Sequence, residues 1–256
     1  MNLTTFSFLL FFTVLLCLYY LLPSKVQWIW LLMGSLLFFA SSGGASMILY
    51  LLYGIVVAYI GARLIDKSQN QRKRFWLLCL VVSLLLAELV ALKYLFNLGN
   101  LLQNLFNLHN NIDMWDLAAP IGISYYTLSI LGYVFDVYYK SYESQKNILK
   151  FSLFTCYFPQ LVSGPVMKYD AMASQMFSPH KFCGKEIMFG LERMIIGYWK
   201  KCVIADQLGL FVQAIYHGDT TYYGSYLVIA IVAYAFQLYA DFSGCMDIVL
   251  GASQTF

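Results

Sequence analysis

Residues 75–96 read FWLLCLVVSLLLAELVALKYLF, an apolar run in which only Glu88 and Lys93 carry a charge. A helix that crosses the hydrocarbon core of a bilayer needs about 20 consecutive, mainly apolar residues, so this run predicts a transmembrane helix. The whole chain is similar: 61% of its 256 residues are hydrophobic and 11% are charged, against about 25% charged in soluble domains. This composition excludes a soluble enzyme and a disordered chain. A net charge of +3 does not give the dense basic surface that nucleic-acid binding requires.

Seven further stretches are candidate membrane helices. They cover residues 4–22, 26–40 and 45–65 before the first run, and 117–139, 151–166, 187–216 and 226–250 after it. The first stretch has no basic residue before it and no small-residue cleavage site after it, which favours a retained helix over a secretion signal. The stretch 187–216 holds too many charges for a lipid-exposed span, so it is either interfacial or screened by other helices.

The charges of the loops predict an orientation, because lysine and arginine accumulate on the cytoplasmic side of membrane proteins. Residues 63–74 contain five basic side chains and one acid, whereas residues 97–116 contain no lysine or arginine. Residues 140–150 are again basic. The first and third of these loops are therefore expected in the cytoplasm and the second outside, with the N-terminus also outside.

The stretch 151–166 differs from a simple span because it contains Pro159, Gln160, Gly164 and Pro165. Proline breaks a straight helix, and non-helical backbone at membrane depth must be buried in protein or line a wet cavity. The stretch is therefore either the wall of a pocket or a loop that lies on the cytoplasmic surface.

Several acids lie inside apolar stretches, where a charge costs about 2.5–3.5 kcal/mol on insertion scales and usually faces a partner or a cavity. Asp241 and Asp247 flank Ser243 and Gly244, which predicts a polar break in the last helix. Glu88 and Lys93 are five residues apart and share a helix face only in part, so a purely structural role is favoured for them.

Cysteine and histidine give no sign of a metal site. The six cysteines include no C-x-x-C pair and are expected to be small packing residues. The three histidines, at positions 109, 180 and 217, lie far apart in polar connecting stretches, where a surface or loop role is the default.

Four motifs in the second half together resemble one enzyme family. They are PIGISYYTL with YVFDVY (residues 120–128 and 133–138), FPQLVSGP (158–165), GYWKKCVIAD (197–206) and FQLYADFSGCMD (236–247). In this order and at this spacing they resemble the membrane-bound O-acyltransferase family, in its alginate O-acetyltransferase-like branch. The branch that adds D-alanine to teichoic acids is a relative with a less similar second motif. Cys245 is a departure, since the family usually has an aromatic residue there.

The resemblance implies an all-α polytopic membrane protein, a multi-helix bundle with broken or re-entrant segments around a central tunnel. It implies transfer of an acetyl group from cytoplasmic acetyl-coenzyme A, a donor substrate and not a bound cofactor, to a hydroxyl of a cell-surface or exopolysaccharide. The expected location is a bacterial plasma membrane, in multi-pass form. Membrane lipid, the polysaccharide acceptor and an extracytoplasmic acetylation protein are the expected partners, and nucleic acid is not.

The motifs also imply which residues bind substrate: Pro159, Gln160, Gly164 and Pro165, with Asp241, Ser243, Gly244 and Asp247 facing them. Lys200 and Lys201 could meet coenzyme A phosphates, or anionic lipid headgroups. The family's base is a histidine in a Trp-His pair, which this chain lacks. We therefore expect one acyltransferase-like domain, 1–256, incomplete at its C-terminus and inactive alone, with helices in 1–116 and the motif-bearing core in 117–256. Two alternative functions remain open. One is a transporter or scaffold, since broken helices and intramembrane acids also occur in transporters. The other is an inactive remnant of an enzyme.

Overall fold

The computed structural model describes residues 3–43, 45–95, 122–164, 167–178, 180–216 and 222–256. Regular secondary structure within these ranges is helical throughout. Among the described residues, three helices are long and apolar enough to cross a membrane: Ile48–Lys67, Gln71–Lys93 and Ser225–Gln254. Phe6–Leu21 is a shorter apolar helix. These findings confirm the prediction of an all-α membrane protein.

Eleven helices are numbered here in chain order within the described residues. The first five are α1 (Phe6–Leu21), α2 (Ser24–Gly43), α3 (Ala45–Lys67), α4 (Gln71–Val90, continued by the π-helical turn Ala91–Leu95) and α5 (Ile123–Tyr138). The next three are α6 (Ile148–Cys156), α7 (Phe158–Ser163) and α8 (Tyr169–Met176). The last three are α9 (Gly184–Tyr198, continued by the π-helical segment Trp199–Ala205), α10 (Asp206–Tyr216) and α11 (Ser225–Gln254).

The chain divides into two compact units. The terminal unit comprises residues 1–24, 163–165 and 180–256, and the central unit comprises residues 25–162 and 166–179. The terminal unit therefore contains α1 and α9 to α11, and the central unit contains nearly all of α2 to α8. The predicted single domain, with its division after residue 116, stays a prediction.

In the central unit, the loops after α3 and α5 meet at one end. The carboxylate of Asp66 accepts hydrogen bonds from the Ser144 amide at 3.1 Å and the Ser144 hydroxyl at 2.7 Å. Arg74, in the first turn of α4, donates to the carbonyl oxygen of Val137 at the end of α5. Burial, together with the nearby carboxylate of Asp136, raises the pKa of Tyr142 in the second loop, so its phenol stays a neutral donor. Both basic loops thus lie at the same end of this unit, as their charges require.

The predicted interruption of the stretch 151–166 is confirmed. Helix α6 ends at Cys156, Tyr157 takes a non-helical conformation, and α7 begins at Phe158 immediately before Pro159. The amide of Phe158 donates to the Ser35 hydroxyl of α2 at 3.2 Å. Phe158 is fully buried and Gln160 is 8% exposed. Residues 151–161 are therefore a largely buried part of the central unit and not an exposed surface loop.

Two of the family-like motifs meet at Gly122, which precedes α5. Its φ of +78° is left-handed, a conformation that favours glycine. A Cβ atom at this position would lie 2.2 Å from the carbonyl oxygen of Leu161 in α7. The PIGIS and FPQLV segments therefore approach each other more closely than any side chain at position 122 would allow.

Glycines also bring α9 and α11 together in the terminal unit. A Cβ atom at Gly197 would lie 2.7 Å from the carbonyl oxygen of Gly244, and one at Gly251 would lie 2.5 Å from that of Gly190. Each helix carries its two glycines seven residues apart, in antiparallel register. Small residues that let backbones approach are a known means of helix association in membranes. This close packing sets the distance across which the charged side chains of the two helices meet.

Candidate functional site

The continuation of α9 determines where its lysines lie. Residues Trp199–Ala205 are π-helical, and such insertions are often found at functional sites. Lys200 and Lys201 occupy this segment, opposite the stretch of α11 that carries Asp241, Ser243 and Asp247. Regular α-helix is therefore interrupted in the π-helical segment that faces α11, at the two lysines.

Five charged side chains and one hydroxyl form what we call the ionic cluster: Arg193, Lys200, Lys201, Asp241, Asp247 and Ser243. The carboxylate of Asp247 contacts Lys200 Nζ at 2.6 Å through Oδ2 and Arg193 Nε at 3.1 Å through Oδ1. Lys200 also donates to Ser243 Oγ at 3.1 Å. Lys201 forms an ion pair with Asp241. The cluster thus joins α9 and its π-helical continuation to α11.

The two carboxylates of the cluster differ in environment. The side chain of Asp247 is 17% exposed and is shared by two cations, whereas that of Asp241 is 51% exposed and pairs with one. Exposed ion pairs contribute about 0–1 kcal/mol, whereas breaking a buried pair is far more costly. Asp247 is therefore the organising acid of the cluster, and Asp241 is the more adaptable one.

Three cations and two carboxylates leave one positive charge in excess in the ionic cluster. Such an excess favours an anion, which arginine and lysine would hold by charge-assisted hydrogen bonds. The cluster adjoins an apolar groove of about 570 Å³ between the π-helical segment, α10 and α11, lined by Lys200 among otherwise apolar or aromatic side chains. The arrangement can bind a ligand that has an anionic part and an apolar part.

The prediction of a helix break between Asp241 and Asp247 is wrong. Helix α11 runs without interruption from Ser225 to Gln254. The carboxylates find their partners on side chains of the neighbouring helix, so the backbone of α11 need not open to satisfy them. Gly244 serves instead as a contact point, since a Cβ atom there would lie 3.0 Å from the amide nitrogen of Lys201.

The predicted substrate-binding residues are brought together only in part. Asp241, Ser243, Gly244 and Asp247 share one stretch of α11, as described above. Pro159 and Gln160 are buried in the central unit, and Gly164 is buried. Pro165 lies outside the described residues, as do His109 and His217. That these loop residues face Asp241 and Asp247 stays a prediction.

Two groups of residues are found by the structure alone. Arg193 was not among the predicted site residues, although its spacing of seven from Lys200 matches that of Gly190 and Gly197, which indicates one helix face. A hollow of about 350 Å³ lies between α10 and α11, and its lining includes the polar side chains of Gln213, Tyr216, Tyr234 and Gln237. Gln237 belongs to the FQLYADFSG motif, which was its only signal in the sequence.

Comparison with known proteins identifies relatives along most of the chain. A Helicobacter pylori protein named "Peptidoglycan O-acetyltransferase" is 28% identical over 252 residues, covering 87% of this chain and 47% of the relative. Proteins named "Probable alginate O-acetylase AlgI" are similar as well. That of Pseudomonas aeruginosa is 30% identical (94% of this chain, 46% of the relative), and that of Pseudomonas putida is 31% identical (94% and 50%). No family model matches the chain.

These relatives confirm the resemblance to the membrane-bound O-acyltransferase family that the four motifs carry. The chain is similar to proteins named for O-acetylation of alginate and of peptidoglycan. The chain spans about half the length of the curated relatives that it matches.

Proposed function

We propose that this protein takes part in O-acetylation of a cell-surface polysaccharide or exopolysaccharide, with acetyl-coenzyme A as the cytoplasmic donor. The names of the relatives support the acetyl group and a glycan acceptor, since alginate and peptidoglycan are both rich in sugar hydroxyls. Donor and acceptor would meet through the tunnel that the family resemblance implies. That residues 1–256 alone are inactive stays a prediction.

The single observation that carries the proposal is the ionic cluster with its excess positive charge. Acetyl-coenzyme A carries phosphates. Lys200 can bind a phosphate through the point charge of its ammonium group, and Arg193 through the hydrogen-bond donors of its planar guanidinium group. Asp247 keeps both cations oriented, so the donor would meet a site that is already arranged. Preorganised positioning of this kind can supply a large part of a rate enhancement.

Acyl transfer to a hydroxyl also needs a base for the hydroxyl proton and donors for the developing oxyanion. Ser243 already accepts a hydrogen bond from Lys200, so its own hydroxyl proton remains able to donate to a substrate oxygen. The carboxylates of the cluster are engaged with cations, which makes them positioning groups and not bases. The base therefore belongs to another part of the enzyme, consistent with the histidine that the family resemblance implies.

The bacterial plasma membrane is the proposed location, with several passes of the chain, an extracytoplasmic acceptor and an extracytoplasmic acetylation protein as partner. The membrane-capable helices support membrane residence. The acceptor side follows from the relatives' glycans, which lie outside the cytoplasm.

Deletion and complementation test the proposed function. The complete gene that encodes these residues is expressed in a host whose own polysaccharide acetyltransferases are deleted, and alkali-labile acetate is measured separately on exopolysaccharide and peptidoglycan. The proposal predicts acetate above the empty-vector level on at least one glycan. Unchanged acetate on both glycans, with the protein present in the membrane, would refute it.

The predicted orientation has its own test at Gln71, in the exposed first turn of α4. In a background with the six native cysteines replaced, Gln71→Cys should resist an impermeant maleimide added to intact cells and react after permeabilisation. The reason is the five basic residues of this loop, which favour the cytoplasm. Labelling of intact cells would reverse the topology. Lys146→Cys, in the other basic loop, is the matched position and should behave in the same way.

A further inference from the structure

Glu88 lies in α4 of the central unit and is not a member of the ionic cluster, and the proposed function does not use it. Its side chain is buried, at 8% exposure, and α4 is one of the helices able to span a membrane. Neither carboxyl oxygen makes a hydrogen bond of normal geometry with the described part of the chain. A buried acid in this condition requires a physical explanation, because buried polar groups are almost always satisfied.

The surroundings of Glu88 come from α3 and α5. Tyr126 of α5 directs its phenol toward the carboxyl group, and this hydroxyl is also buried without a hydrogen bond of normal geometry to any described residue. Gly54 of α3 lies beside them: a Cβ atom there would be 3.4 Å from Glu88 Oε2 and 3.6 Å from a ring carbon of Tyr126. The absence of a side chain at position 54 leaves room for the acid and the phenol between the three helices.

Among the described residues, no cation acts on Glu88. Lys93, one and a half turns later, instead contacts Ser124 Oγ at 3.2 Å. The other charged groups of these helices are concentrated near the opposite end of the unit: Arg63, Asp66 and Lys67 on α3, Arg72, Lys73 and Arg74 on α4, and Asp136 on α5. Arg74 is 14 residues from Glu88, or about 21 Å along the helix. Within the described part of the chain, a carboxylate at position 88 would therefore be a buried charge without a compensating cation.

We propose that Glu88 is protonated in the folded protein and that Glu88 and Tyr126 form a proton-binding site within the membrane. A neutral carboxylic acid avoids the several kcal/mol that an unpaired ion costs in such surroundings. It also gives the pair a matched donor and acceptor, because the acid can donate to the phenol or accept from it. The ligand of this site is a proton taken from water.

Stability as a function of pH tests the site with Glu88→Gln, which mimics the neutral acid in shape. In the unfolded chain Glu88 ionises above about pH 4.3. If the folded form keeps the proton, folding takes one up. The unfolding equilibrium constant of the wild type should then rise about tenfold per pH unit relative to Glu88→Gln between about pH 5 and 6.5. Parallel curves for the two proteins would show that Glu88 is ionised when folded and would overturn the proposal.

A chemical test uses a hydrophobic carbodiimide on the protein in liposomes at pH 6. The acid proton moves to a carbodiimide nitrogen while a carboxyl oxygen bonds to the central carbon. The resulting O-acylisourea rearranges to a stable N-acylurea, which adds the mass of one reagent molecule. We expect this mass on the peptide containing Glu88 and its loss in Glu88→Gln. Asp66, hydrogen-bonded to Ser144 at the end of its helix, is the internal control and should stay unlabelled. Labelling of Asp66 in preference to Glu88 would contradict the proposal.

Discussion

Gly197→Val is expected to cost about 3 kcal/mol of folding free energy, the upper part of the range for overpacking. The added Cβ atom would lie 2.7 Å from the backbone oxygen of Gly244 and 2.8 Å from the backbone nitrogen of Ile248. Both contacts are with backbone, so no side chain can rotate away and α9 and α11 must move apart. The expected result is a clear fall in melting temperature and in the yield of folded protein. Both are measured by size-exclusion chromatography of samples heated to increasing temperatures.

Gly132→Ala is the control for the packing prediction. Gly132 is also a helical glycine, but a Cβ atom there would meet no atom of the described residues within 4 Å. Alanine should leave the stability unchanged or raise it by up to about 1 kcal/mol, because glycine is the weaker helix former. Equal melting temperatures for Gly197→Val and Gly132→Ala would contradict the close approach of α9 and α11.

Asp247→Asn is expected to lower acetylation by about 100-fold in cells that express the protein from its own gene. Its carboxylate holds Lys200 and Arg193 together, so the amide would leave two cations without their shared partner and shift them relative to the donor. Misplacement of about 1 Å can cost this much in rate. Asp241→Asn should cost no more than about fivefold, because the half-exposed pair with Lys201 is worth at most about 1 kcal/mol.

Glu192→Gln serves as the control for the acid variants, since Glu192 is an exposed residue of α9, next to Arg193, and makes no ion pair in the described part of the chain. Membrane levels of all three variants are measured by immunoblot. Wild-type acetylation in Asp247→Asn at normal protein level would show that the ionic cluster does not contribute to acetyl transfer. A larger loss in Asp241→Asn than in Asp247→Asn would reverse the assignment of the organising acid.

Local signals in the sequence predicted most of the helices but not all of their ends. The run 75–96 was predicted as a helix, and α4 with its π-helical turn covers Gln71–Leu95. The helix begins earlier because Asn70 caps it, accepting a hydrogen bond from the Arg72 amide. Basic residues do not stop a helix, even where they mark the edge of the membrane. Pro159 predicted the break before α7 correctly, because proline lacks the amide hydrogen that a continuous helix needs and is tolerated only in the first turn of a new helix.

The pairings of the ionic cluster could not be deduced from one sequence. Asp247 and Lys200 were both singled out, but their contact depends on the register between α9 and α11. That register is set by glycines on both helices, and the same packing explains why Ser243 and Gly244 do not break α11. The sequence shows that Asp241 and Asp247 need partners. Only the fold shows that these partners include Lys200 and Lys201, the lysines predicted to meet coenzyme A phosphates.

The most direct test of the proposed acetyl transfer uses membrane vesicles with isotopically labelled acetyl-coenzyme A supplied on the cytoplasmic side. The vesicles come from cells that make the protein, its Asp247→Asn variant or neither, and alkali-labile label on the glycan is counted. We predict label that depends on the protein and falls about 100-fold in the variant. Equal label in vesicles with and without the protein, or none although the same cells acetylate their glycan through it, would contradict acetyl transfer from this donor.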